Sequence, residues 1–421
     1  MPKLSNRWSV LALLVFARVC MGLQFGSAAA LVPFLVADLE MSFAQAGTLV
    51  GLFMGVGVFL ALPSGVVSAR LGDRATLIGG LGLMVAGALV AANGQALAPV
   101  FAGRVVSGVG AVFLNVTATK VATDWFAGRE IASAMSLLGV SWPIGIAITL
   151  TTFPYIAQQT SWQAAVALTG AISAVALVAV AALLPGPAAG AGNPPGQAPG
   201  AAPSFTAAGA APGISAAAAA GGGQARRFWV IGRRELILMV VGGFAWPLMN
   251  GGFITYLGFA PSLLIARGQS AVAAGLVVSM VTWVGILAIP LGGYLVDRTG
   301  RKTLMFVGGT LAAGLFLGAI PLGGAVVAFS VFYALAVSMT PGAVMSLPAE
   351  ALRPESRATG FGVFYTVFYL GMGALPALAG WAVDFAGDPA AAIFVAAFST
   401  ALAALPWLGF RWLLRRWGGA G

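Results

Sequence analysis

The chain is 421 residues long; 60% of it is hydrophobic and only 8% is charged. A soluble domain carries about 25% charge, so a mean hydropathy of +0.97 excludes a water-covered globule and points to a helical protein that crosses a membrane many times. The net charge of +10 raises the question of nucleic acid, which the placement of the basic residues answers below.

Twelve apolar runs, each about as long as a helix needs to cross hydrocarbon, are predicted at roughly 8–30, 45–68, 75–93, 98–119, 131–154, 163–184, 236–260, 271–296, 303–321, 325–347, 359–384 and 390–410. A transmembrane β-barrel would show short alternating segments instead. The first run follows Met-Pro-Lys and is too long for the apolar core of a cleaved signal peptide, so it is expected to remain as the first membrane helix. It holds the single cysteine, Cys20, read as a small buried apolar residue. Spans three, six, nine and twelve are almost wholly apolar, whereas spans one, four, five, seven and ten carry Arg, Gln, Asn and Thr. Polar side chains in lipid turn toward a bundle interior or a wet cavity, so every third helix is expected at the periphery. Gly51 and Gly55 have the spacing of close helix packing. Pro143, Pro154, Pro247, Pro290, Pro341 and Pro376 are expected to kink or end their helices.

Residues 185–225 are Pro, Gly and Ala with almost no charge, the composition of a disordered linker. The basic cluster Arg226–Arg234 follows and pins the start of span seven. The predicted organisation is a six-helix bundle over 1–184, a linker and basic entry over 185–235, and a second six-helix bundle over 236–421. With the N-terminus inside, all 21 basic residues except Arg18, Arg104 and Arg267 fall on the cytoplasmic side. The basic surplus is then an orientation signal with some attraction to anionic lipid, and no nucleic-acid partner is expected. Both termini are predicted cytoplasmic, in a bacterial inner membrane.

The two bundles echo one another. Gly293-Tyr-Leu-Val-Asp297-Arg298-Thr-Gly300-Arg301-Lys302 lies between spans eight and nine. At an offset of 228 positions Gly65, Arg70, Gly72 and Arg74 fall opposite Gly293, Arg298, Gly300 and Lys302. The same offset carries Pro33 onto Pro261 and Gly47 onto Gly275. A repeat of this kind places a binding site between the halves.

These residues resemble the major facilitator superfamily. The loop Gly293-x3-Asp297-Arg298-x-Gly300-Arg301-Lys302 is similar to that family's signature, and Arg104-x3-Gly108-x-Gly110 is similar to its second motif. Arg18-Val-Cys-Met-Gly22-Leu-Gln24-Phe25 with Ser141-Trp142-Pro143 resembles the cyanate and nitroimidazole porter group. The resemblance implies an all-α polytopic membrane protein: twelve transmembrane helices in two pseudo-symmetric six-helix bundles, able to work as a monomer. It also implies a secondary transporter that moves a small solute by alternating access, without a cofactor. The first loop departs from the pattern, with Ala69 in place of the usual Asp and Asp73 four residues on, so its charge network is expected to be weaker. In the second loop, glycines allow a tight turn. Asp297 is expected beside a neighbouring helix N-terminus, making with the basic residues a breakable latch.

Every acidic residue is read in a loop or at a helix end, and there is no histidine. Arg18 and Arg104 are therefore predicted as intramembrane cations without carboxylate partners. A mid-span charge costs about 2.5–3.5 kcal/mol, so the missing counter-ion is expected to be the cargo, an anion that arginine's fork of donors suits. Asn115, Trp142, Trp246, Asn250 and Tyr256 are predicted to shape the pocket with Arg18; Gln24, Tyr365 and Tyr369 are further candidates, and Arg104 divides evenly between cargo contact and helix packing. No paired acid–base or nucleophilic groups support an enzyme. No phosphate loop supports an ATP-driven pump. An exporter of lipophilic compounds and a non-transporting sensor on the same fold remain as alternatives.

Overall fold

The computed structural model describes residues 4, 6–126, 130–185, 231–353 and 356–418. The predicted linker lies outside these from residue 186 to 230. Among the described residues, twelve helices are long and apolar enough to cross a membrane. They are α1 (Arg7–Asp38), α2 (Phe43–Gly55, resumed as Gly57–Leu71), α3 (Asp73–Ala92), α4 (Leu97–Phe126), α5 (Ile131–Gln159) and α6 (Trp162–Leu183). After the linker come α7 (Arg233–Ala266), α8 (Ala271–Thr299), α9 (Lys302–Ala319), α10 (Val326–Ser338, then Pro341–Met345 and Leu347–Ala351), α11 (Arg357–Ala386) and α12 (Ala390–Leu402 and Ala404–Gly418). Most run past their predicted apolar cores, because helix continues into polar ends that hydropathy does not score: α1 reaches Asp38 and α7 reaches Ala266. Pro143, Pro154, Pro247, Pro290 and Pro376 are accommodated inside continuous helices, contrary to any expectation that they end them. Pro341 instead begins a new short helix where α10 breaks.

Glycine makes the close crossings possible. Gly22 of α1 lies over the Trp142 carbonyl of α5, and Gly145 of α5 returns the contact against Val19 and Leu23. Within the first bundle, Gly80 meets Gly110 and Gly87 meets Gly103 across α3 and α4. In hydrocarbon such backbone approach supplies the packing that apolar burial cannot. Apolar side chains of α6, α9 and α12 face outward: Val178 is 63% exposed, Leu315 71% and Phe398 69%, as lipid-facing helices require.

The approaches between the two bundles gather on the face away from the termini. There, a side chain at Gly47 or Gly51 of α2 would overlap the backbone of Pro376 or Gly373 on α11. Gly380 presses on the Phe43 carbonyl. Asp384 of α11 accepts hydrogen bonds from the Phe43 and Ala44 N–H groups, both at 2.8 Å, so a carboxylate of one bundle caps a helix start of the other. On the opposite flank Gly275 of α8 meets Leu150 and Pro154 of α5, and Trp283 donates to Thr151 at 3.3 Å.

Candidate functional site

Between the bundles lies a cavity of about 140 Å³ whose walls come from α1, α2, α4 and α5 on one side and α7, α8, α10 and α11 on the other. None of its lining residues belongs to α3, α6, α9 or α12. The first bundle contributes Arg18, Met21, Met54, Asn115, Gly139, Trp142 and Pro143. The second contributes, among others, Trp246, Met249, Asn250, Phe253, Thr282, Ser338, Met345, Tyr365, Phe368, Tyr369 and Met372. Three pairs of positions related by the 228-residue repeat meet here: Arg18 with Trp246, Met21 with Met249, and Met54 with Thr282.

Arg18 is 1% exposed, and its Nε and Nη1 make no hydrogen bond within the protein. Tyr365 and Tyr369 lie close enough to interact electrostatically with its guanidinium. Trp142 Nε1, Thr282 Oγ1 and Asn115 Oδ1 are likewise buried without a hydrogen-bond partner. Three of these four cavity residues offer donors. A buried unsatisfied donor costs about 1–3 kcal/mol, more when charged, so an acceptor seated among these groups would offset that cost. No carboxylate among the described residues lines the cavity. Aromatic rings form the facing wall: Trp246 packs against Phe368 at 4.1 Å and Tyr365 at 5.3 Å between ring centroids.

Three predicted site residues do not line this cavity. Arg104 donates from Nε to the Leu49 carbonyl at 3.1 Å, from Nη1 to that of Gln24 and from Nη2 to that of Phe25 at 3.0 Å. Its guanidinium also lies 4.5 Å from the Phe53 ring centroid. It ties α4 to α1 and α2. Gln24 donates to the Met84 carbonyl and to Ser173 Oγ, joining α1 to α3 and α6. Tyr256 is fully buried on the far side of α7, its hydroxyl 2.8 Å from Ser330 Oγ. Sequence reasoning passed over Thr282, Phe368 and the methionines; Thr282 falls opposite Met54 at the 228-residue offset, and neither stands out as polar or charged enough to be singled out.

The signature loops take different shapes. Gly72 (φ 84°) and Gly300 (φ 65°) occupy the turns in conformations that glycine favours, while Gly65 lies within the second helical piece of α2 and Gly293 within α8 with open space beside it. Asp73 accepts from Lys120 Nζ at 2.7 Å and from Ser68 Oγ at 2.8 Å, so the first loop has an ion pair despite Ala69. Arg74 donates to the Ala181 carbonyl, and Arg70 is exposed. Asp297 is exposed and has no ion pair among the described residues, so the expected latch on a neighbouring helix is not engaged here. Arg298 bonds Tyr294 of its own helix at 2.7 Å, Arg301 is exposed, and Lys302 pairs with Glu350 at 2.8 Å. None of the ion pairs among the described residues joins the two bundles.

Comparison with known proteins places this geometry. Over 118 residues the chain is 29% identical to the inner membrane transport protein YajR of Escherichia coli (strain K12), a match covering 28% of this chain and 26% of that protein. It is 24% identical over 112 residues to an uncharacterized transporter of Buchnera aphidicola subsp. Schizaphis graminum (strain Sg), covering 27% and 28%. The matched stretch thus spans about a quarter of each relative. Among solved structures the fold is similar to a point mutant of the nucleoside transporter NupG, with a TM-score of 0.74, 14% identity and coverage of 96% of this chain and 100% of that one. It is also similar to a D-xylose-proton symporter, with a TM-score of 0.71, 15% identity and coverage of 94% and 96%. The family model of the Major Facilitator Superfamily matches residues 14–264 and 248–418, nearly the whole of both bundles, and the chain belongs to that superfamily.

Proposed function

We propose that this protein is a secondary active transporter that moves a small anionic solute across a bacterial inner membrane by alternating access. Arg18 carries the reading: a cation deep in the inter-bundle cavity, with donors left unbonded and no carboxylate beside it. Removing a charge from water without a partner costs several kcal/mol, and a bound anion offsets that cost. The basic loops orient both termini to the cytoplasm. The packed face away from the termini is then the outer one, and the conformation described is closed to the outside.

Among the described residues no Asp, Glu or His lines the cavity to carry a proton, so the anion is expected to travel alone, as its conjugate acid or in exchange for another anion. Uptake into proteoliposomes with and without a pH gradient tests this. A gradient should leave accumulation of a permanently charged sulfonate unchanged. Proton-driven accumulation of that sulfonate would overturn the coupling.

A second reading, export of lipophilic compounds, is favoured by one observation: much of the cavity wall is aromatic or methionine. The isolated cation speaks against a neutral or cationic cargo.

A further inference from the structure

We infer that the cargo is an amphipathic organic monoanion, an acid with a single aromatic or similarly apolar body, and that it binds by bridging the bundles. This rests on the anionic reading above and narrows it. The two sides of the cavity differ in chemistry. Arg18 Nε and Nη1 and Trp142 Nε1, all free of hydrogen bonds within the protein, belong to the first bundle. Facing them, Trp246 and Phe368 with centroids 4.1 Å apart belong to the second, and Phe253 joins them.

A small inorganic anion exposes charge on every side and needs donors all around it. The cavity's buried unbonded donors are those of one arginine, Trp142 and Thr282, and although Asn250, Tyr365 and Tyr369 also line it, much of the remaining wall is Met21, Met249, Met372, Phe253 and Phe368. Most of an inorganic anion would face sulfur and carbon, an uncompensated desolvation. A carboxylate on a ring avoids that penalty. Its oxygens reach Arg18 as a fork, while the ring lies against the Trp246–Phe368 pair, where aromatic contact strengthens binding beyond what area alone gives. Methionine side chains adapt to the ring's outline. The head and the body then hold opposite bundles, so the ligand itself joins them.

The test compares benzoate, benzamide, acetate and nitrate on the purified full chain, read by thermal shift and by tryptophan fluorescence. Benzoate is expected to bind at least roughly tenfold more tightly than any of the other three. Trp246→Leu should weaken benzoate by roughly tenfold and leave acetate unchanged, while Arg18→Gln should abolish the difference between benzoate and benzamide. Phe368→Leu provides a second wall variant should Trp246→Leu fail to fold. Tighter, Arg18-dependent binding of nitrate or acetate would overturn the amphipathic class and leave the anion reading standing. Equal binding of benzamide and benzoate would overturn both. No response to benzoate at concentrations where acetate or nitrate responds, or no response to any of the four, overturns the inference.

Discussion

Two buried arginines in one protein illustrate how little a residue's burial says by itself. Arg104 and Arg18 are 7% and 1% exposed. Arg104 spends its donors on three backbone carbonyls of α1 and α2 and lies over a phenylalanine ring. Arg18 leaves Nε and Nη1 unbonded. Their neutral replacements should therefore move stability in opposite directions. Arg104→Leu is expected to lower the melting temperature of the unliganded protein, by the equivalent of about 1–3 kcal/mol. Arg18→Met is expected to raise it, because an uncompensated charge leaves an apolar setting. Thermal unfolding in detergent reads both, and a fall for Arg18→Met would show that its guanidinium is already satisfied. In the sequence the two arginines look alike. Arg18, Gly22 and Phe25 share a face of α1 at helical spacing, and Trp246 falls opposite Arg18 at the 228-residue offset; both Arg18 and Trp246 line the cavity. Spacing could not separate them from Gln24 or Tyr256, since α1 and α7 are buried on nearly every side and each face has a polar residue to satisfy.

Elements show the same division between what pattern reveals and what contact decides. Helix number, order and the peripheral place of every third helix follow from runs of apolar residues and their unequal polarity. The seam between α2 and α11 does not. Gly47, Gly51 and Gly380 are small residues in apolar runs, and only the partner's backbone shows why a side chain would not fit. Gly47→Val should hold the bundle ends away from the termini apart. Asp384→Ala should loosen them less, since an exposed carboxylate at a helix start contributes about 0.3–1 kcal/mol. That corresponds to a shift of about two- to fivefold between open and closed populations. Spin labels at Gln158 and Phe385 in a Cys20→Ser background would read the distance. Gly308→Ala, which meets open space, serves as the inert control. An unchanged distance distribution for Gly47→Val would show that the seam does not close the face away from the termini. The signature loops were legible as turns and anchors, but their pairings were not. Asp73 found Lys120 from a position the family pattern does not use, while Asp297, the residue that pattern does use, faces solvent here.

Across the whole molecule, charge is sorted by depth. The ion pairs Asp73–Lys120, Glu235–Arg353 and Glu350–Lys302 sit at helix ends toward the termini, each within one bundle. In the middle stands Arg18, without a negative group to balance it. On the proposed anion reading, that imbalance fixes where an electric field can act on the transport cycle. Once a monoanion is seated, the moving centre is neutral, and its passage between the two faces is indifferent to voltage. The vacant carrier must bring its positive centre back through the field, at up to about 2.3 kcal/mol per 100 mV. Exchange of one monoanion for another should therefore run at the same rate at every membrane potential, whereas net efflux or uptake should respond steeply. Valinomycin-clamped vesicles can separate the two, and a voltage-sensitive exchange would mean that a second charge moves with Arg18.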